Sequence, residues 1–194
     1  MQTKNPLNEL KNVDLSHLSK QEAKEFTLLL EELELREKRE TSIGTFYEFV
    51  KNIWPEFIAG SHHKKMAEAF DKIAEGESKR LIINMPPRHT KSEFASYLFP
   101  AYLLGKRPKL KIIEATHTAD LAINFGRRVR DLIESEEYAD LFPKTQLKAD
   151  SRSAGKWLTS QGGEYYASGI GGALAGRGAD LFIIDDPHSE QDAF

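Results

Sequence analysis

Cysteine is absent from the 194-residue sequence, which excludes disulfides, thiolate zinc sites and cysteine nucleophiles and fits a reducing compartment. Long apolar runs are absent too. No stretch approaches the roughly 18 apolar residues that a membrane-spanning helix needs. The polar start, Met1 to Leu10, has no apolar signal core, so secretion and membrane attachment are not expected. Excess positive charge is also missing. The net charge is -3, so the chain is not a generally basic nucleic-acid coat, and any grip on DNA must come from a local strip. No G-x-S-x-G elbow supports serine-hydrolase chemistry. The histidines lack ligand spacing, with His62 and His63 directed to different sides of a helix, so zinc is not expected. There is no internal repeat and no low-complexity segment.

What remains is an ordinary globular composition, 40% hydrophobic and 29% charged, enough for one substantial core. From Ser19 to Glu40 the chain is rich in Glu, Lys, Arg and Leu. Phe26, Leu29, Leu30, Leu33 and Leu35 recur at roughly helical spacing, and Ser19 with Glu22 forms a capping-box pattern. This reads as an exposed, charged helix broken at Ser42 and Gly44. A second helix is expected over Thr45–Ile53, stopped by Pro55, and a third over His62–Ala74, closed by Gly76. Arg80–Asn84 then reads as a buried parallel strand. It leads through Met85-Pro86-Pro87-Arg88-His89-Thr90-Lys91-Ser92 into a helix that ends near Gly105 and Pro108. Further strands are expected over Lys111–Ala115, Trp157–Thr159, Glu164–Ser168 and Leu181–Ile184, with a helix from Ala119 to Glu134. Strands alternating with helices predict an α/β fold with a mostly parallel sheet.

The turn before Lys91-Ser92 occupies the place of a phosphate-binding loop, G-x-x-x-x-G-K-[ST], between a strand and a helix. Met85 and Thr90 stand where that pattern has its two glycines. The physics needs backbone N–H groups gathered at a helix N-terminus, a lysine for the outer phosphates and a hydroxyl for Mg²⁺. Lys91 and Ser92 supply the last two. Pro86 and Pro87 lack N–H donors, so the cradle is expected from Arg88, His89, Thr90, Lys91 and Ser92. A lysine and serine opening any helix would look the same, so the loop needs support from elsewhere. That support is Leu181-Phe182-Ile183-Ile184-Asp185-Asp186, an apolar strand that ends on two carboxylates. Asp185 is the candidate metal ligand. Asp186 is the candidate for orienting the attacking water, with Glu190 as the alternative. Arg177, in the glycine-dense stretch Gly169–Gly178, is a candidate charge-stabilising finger for this subunit's nucleotide or a neighbour's. Arg88 could sense a γ-phosphate. Arg127, Arg128 and Arg130 share one helix and could track a phosphate backbone, although a solvated face fits them equally well. Arg152 and Lys156 are too isolated to assign.

These segments in this order, together with Gly60-Ser61-His62-His63, Ala115-Thr116-His117 and Phe125-Gly126-Arg127-Arg128-Val129-Arg130, resemble the phage terminase large subunits. The resemblance runs from about Trp54 to the C-terminus and leaves out the N-terminal helix. It implies a P-loop NTPase fold with a sheet of the additional-strand catalytic-acid type, ATP and Mg²⁺ as ligands, and ATP hydrolysis coupled to double-stranded DNA translocation. It also implies a ring on the portal protein of a procapsid in the host cytoplasm, with a small terminase subunit as partner. Arg88, Lys91 and Ser92 would meet phosphate and Mg²⁺, with Asp185 and Asp186 as the acidic pair. Arg177 would act between subunits, and the region of Trp54, His62 and His63 would lie near the adenine. The expected division is a helical arm over 1–44 and an incomplete ATPase domain over 45–194. Family members carry a nuclease domain beyond this point, so DNA cleavage is not expected of this chain. The rival readings are an idle remnant that only associates with DNA or packaging partners, and a helicase- or kinase-like P-loop enzyme.

Overall fold

The computed structural model describes residues 7, 10–151 and 153–188; the sequence candidates Arg152 and Glu190 lie outside them. Helix α1 (Lys20–Gly44) starts at a capping box in which Ser19 and Glu22 satisfy each other's backbone N–H. It runs through Ser42 to Gly44, past the expected break. A following cap, not the local residues, ends it. Thr45 leaves the helix in an extended conformation and accepts the Glu48 N–H to begin α2 (Phe46–Ile53). Helix α3 (Ser61–Glu75) closes on Gly76, whose φ of 80° is the left-handed conformation that glycine adopts without strain. The leucines of α1 do not form a buried stripe. Leu28, Leu29, Leu33 and Leu35 are all exposed, and the helix touches the body through α2 and through Arg39, which donates to the Asp140 carbonyl at 2.5 Å.

The remaining elements are a π-helical turn (Glu93–Leu98) running into α4 (Phe99–Lys106), β1 (Lys111–Thr116), α5 (Ala119–Ile133), α6 (Glu136–Leu141), β2 (Lys156–Leu158), β3 (Glu164–Gly169) and β4 (Leu181–Asp185). Among the described residues the strands form one sheet in the order β2-β3-β1-β4. β1 pairs in parallel with β3 and β4, and β2 runs antiparallel to β3. The α/β class and the mostly parallel sheet are as the sequence indicates. No described helix is long and apolar enough to cross a membrane.

Ile112, Glu114 and Thr116 share the sheet face on which α5 and the π-turn pack. Phe46, Phe49, Phe94, Phe99, Tyr102, Trp157 and Tyr165 are buried on that side. Aromatic edge-to-face contacts knit α2, α3 and α4 together, with Phe46 centred 5.2–5.5 Å from Phe70, Phe94 and Phe99. The opposite face is more open. Phe182 and Ile184 on β4 are 51% and 54% exposed.

One expected strand is not formed. Residues 80–84 pair with no described strand, and Ile82 is 86% exposed. Its β-branched residues favour an extended chain, but a parallel strand exists only through a neighbour's hydrogen bonds, and β4 presents its outer edge unpaired. The helix after the loop is also tighter in sequence than in space: its first turns are π-helical, with Phe99 N–H bonding back to Phe94 O. Such widened turns recur at functional sites.

Helix α5 lies so close to β3 that Gly126 has no room for a side chain. A Cβ there would stand 2.6 Å from the Ala154 carbonyl oxygen and 3.0 Å from the Tyr165 ring. Alanine is ordinarily the better helix former by about 1 kcal/mol, yet Gly126→Ala should destabilise the fold by about 1–3 kcal/mol through overpacking. Thermal melts should show a fall of roughly 3–10 °C; an unchanged or raised Tm would mean that the α5–β3 approach is looser than described.

Candidate nucleotide site

Parallel register fixes the acidic end of the site. Asp185 pairs with Thr116 at the last position of β1, so its carboxylate emerges where the strands end, the usual ligand edge of an open α/β sheet. It is 5% exposed and its Oδ2 accepts from the Ser96 hydroxyl at 3.0 Å. The next residue turns sharply: Asp186 has φ 42°, its carbonyl accepts from His117 N–H at 3.2 Å, and its side chain faces solvent.

Lys91 meets both acids. Its ammonium lies 3.5 Å from Asp185 Oδ1 and donates a short hydrogen bond to Asp186 Oδ1, so residues 95 positions apart in sequence form one ion cluster. Burial works against the charged lysine, but the bond to Asp186 and the two negative charges outweigh it, and its pKa lies above the ordinary value. The next residue, Ser92, is right-handed (φ -69°, ψ -34°) and its hydroxyl makes no capping bond, so it remains a potential ligand.

The loop itself is strained. Arg88 and Thr90 have φ 64° and 60°; with Asp186 these are the non-glycine residues of positive φ among those described, and all three are in this site. Each such residue costs about 1–3 kcal/mol, and for a β-branched threonine the conformation is a true outlier. Thr90 thus adopts the backbone that the missing second glycine of the phosphate-loop pattern would have taken freely. Left-handed residues set into a tight loop gather successive N–H groups on one concave side, which suits an anion. The Thr90 carbonyl accepts from Phe94 N–H at 3.0 Å, so the helix starts here with its first N–H groups free of intrahelical partners.

His62, His63 and His89 surround this loop. The rings of His62 and His63 are centred 3.8 Å apart, not turned to different sides as the helical spacing suggests, and His89 is 5.8 Å from His62. Among the described residues no group of His, Cys, Asp and Glu has the arrangement to hold a metal ion by itself. Arg88 is exposed beside the lysine.

Other sequence candidates lie apart. Arg177 stacks over the Tyr166 ring at 3.8 Å and sits 3.5 Å from Glu164 at the start of β3. Asp185 is at the far end of the strands, five residues along the β1 register, a separation of about 16 Å. Arg128 makes a two-pronged pair with Glu93 (2.9 and 2.5 Å) and lies 4.2 Å over Tyr97, while Arg130 pairs with Asp131 at 2.7 Å. Arg127 is exposed. Lys156 lies 3.6 Å from Glu164, in the cluster of Arg177.

Glu114 escaped notice in the sequence, although a carboxylate inside Ile112-Ile113-Glu114-Ala115 was its own signal. It is fully buried on the central strand, and among the described residues neither carboxylate oxygen has a hydrogen-bond partner, nor does the buried Tyr165 hydroxyl. Ser96 has a single hydroxyl hydrogen and spends it on Asp185. Burial pushes the Glu114 pKa well above its ordinary value, the nearby Ser96 hydroxyl pulls against this, and the charge of Asp185 adds to the rise.

No protein-family model, curated protein or solved structure matches the chain.

The position of Glu114 makes stability depend on pH. A carboxyl whose folded pKa exceeds its ordinary 4.5 holds its proton more tightly folded than unfolded. Its contribution is full below about pH 4.5 and is lost as pH rises toward the folded value. Glu114→Gln removes that titration, so its Tm should gain on the wild type as pH rises from about 4.5 toward neutrality in metal-free buffer. A difference that stays constant over this range would show that Glu114 does not titrate there.

Proposed function

We propose that this chain binds Mg·ATP at the Lys91 cluster, and that it is the ATPase portion of a viral DNA-packaging motor of the terminase large-subunit kind. The observation that carries the reading is the Lys91–Asp185–Asp186 cluster, set beside a left-handed loop at a helix start. Lysine, hydroxyl, paired acids and gathered N–H groups are the parts that a phosphate-binding site on a P-loop NTPase needs.

The residues present fit both ligands. In the nucleotide-free chain Lys91 offsets part of the charge of the two acids, which would otherwise leave a nearly buried carboxylate uncompensated. With ATP bound, Lys91 turns to the outer phosphates, and Arg88 and the N–H groups from Arg88 to Ser92 hold the remaining phosphate oxygens. Ser92 and Asp185 would hold Mg²⁺, which supplies neutralisation of phosphate charge. Asp186, left-handed and solvent-facing, orients the attacking water. Arg177 sits too far along the strands to reach this nucleotide, which favours action on a neighbour's in a ring of subunits on the portal. Double-stranded DNA and a small terminase subunit complete the partners of this reading, in the host cytoplasm.

On α5, the free side chain for a phosphate backbone is Arg127; Arg128 is committed to Glu93 and Tyr97. Arg127→Ala should therefore weaken DNA binding without moving Tm and lower the salt slope by about one. Arg128→Ala should lower Tm by roughly 2–8 °C. The reverse pattern would place the DNA contact on Arg128.

Titration calorimetry with Mg·ATP tests the nucleotide reading directly. The wild type should bind and Lys91→Ala should lose on the order of a hundredfold in affinity. No binding by the folded wild type would favour an idle chain that only associates with DNA or packaging partners.

A further inference from the structure

The phosphate loop has a support that comes from outside it. Gly60 N–H donates to His63 Nδ1 at 2.8 Å, so that nitrogen is an acceptor and the ring hydrogen is on Nε2. Nε2 faces Thr90 Oγ1 at 2.7 Å and can only donate to it. The Thr90 hydroxyl hydrogen is thereby directed to its other neighbour, the His89 carbonyl, also at 2.7 Å. Every polar position along this relay is used once, with donor and acceptor in the right order.

The relay is rigid at its base. His63 is 6% exposed, on the first turns of α3, with the Phe57 and Phe94 rings centred 4.7 and 5.4 Å away and the His62 ring tilted beside it. At its other end is Thr90, held at φ 60° against its own steric preference. A strained residue persists only where its surroundings over-determine it, and among the described residues the side-chain hydrogen bond that reaches Thr90 from another element is that of His63.

We propose that His63 is a positioning residue that substitutes for the missing glycine of the loop, by clamping the Thr90 hydroxyl and so keeping the left-handed backbone that presents the loop N–H groups to phosphate. Glycine would adopt this backbone unaided; threonine adopts it because α3 holds it there. The role of His63 is then distinct from contact with the nucleotide base. Burial, with His62 and His89 nearby, holds the His63 pKa below its ordinary value and favours the neutral tautomer the relay requires. The inference rests on the nucleotide reading for its consequence, but the clamp itself is a property of the nucleotide-free chain.

The test is a cycle of four proteins: wild type, His63→Phe, Thr90→Gly and the double variant. Two readouts are taken, Mg·ATP affinity by calorimetry and hydrogen exchange of the amides from Arg88 to Ser92 without nucleotide. In the threonine background, His63→Phe should weaken affinity by about tenfold and speed loop exchange by a similar factor. In the glycine background the same change should have less than about a threefold effect on either. An equal effect in both backgrounds would overturn the proposal, since His63 would then act by another route. No effect in the threonine background would overturn it as well.

If His63→Phe does not fold, Thr90→Val replaces it, because valine keeps the steric problem and loses the hydroxyl. Thr90→Val should bind Mg·ATP about tenfold more weakly than Thr90→Gly; equal affinities would overturn the clamp. Should the wild type bind no Mg·ATP, the nucleotide reading fails on its own. The exchange readout, taken on Thr90→Val against Thr90→Gly where His63→Phe does not fold, still decides the clamp.

Discussion

Parallel pairing of β4 with β1 sets the position of Asp185, because strand register leaves no freedom to slide when both partners are buried on one face. Ile112, Glu114 and Thr116 of β1 lie level with Leu181, Ile183 and Asp185 of β4 on the packed side of the sheet. A shift of one residue would bring Phe182 and Ile184 inward and turn Asp185 out to the open face. The acid reaches Lys91 because the apolar residues before it have a required side. The helices α2, α3 and α4, joined through Phe46, then fix the start of the π-turn and with it the lysine.

Charge compensation at this edge is local. Lys91 carries the balance for two carboxylates, one nearly buried and one exposed, while Glu114 beneath them has no cation at all. A buried acid that holds its proton is a workable neighbour for Asp185, since two unscreened negative charges at that depth would repel.

Strain is concentrated in the same place. Arg88, Thr90 and Asp186 take left-handed backbones without being glycine, and Thr90 and Asp186 are each held by a hydrogen bond from another element. Two glycines would have made the loop easier to form and also looser. A loop held from α3 by His63 is coupled to the packing of Phe57 and Phe94.

Much of this was legible in the amino-acid order. Short apolar runs marked β1 and β4, and the Gly162-Gly163 turn marked the start of β3. The Ser19–Glu22 box and Gly76 marked helix ends. Lys91-Ser92 and Asp185-Asp186 stood out as charge and hydroxyl set at the ends of regular elements, and the structure brings Lys91 to both acids. Local pattern could not show that residues 80–84 lack a strand partner, since pairing belongs to the neighbour. Nor could it show that Arg128 is spent on Glu93, that Arg177 lies at the opposite end of the sheet, or that His63 reaches Thr90. Each of these depends on which elements pack together across tens of residues. The α/β pattern and the residue types at the loop and the acidic strand can be read from amino-acid order alone; which side chains meet follows from the packed fold, because contact is set by register and packing rather than by spacing along the chain.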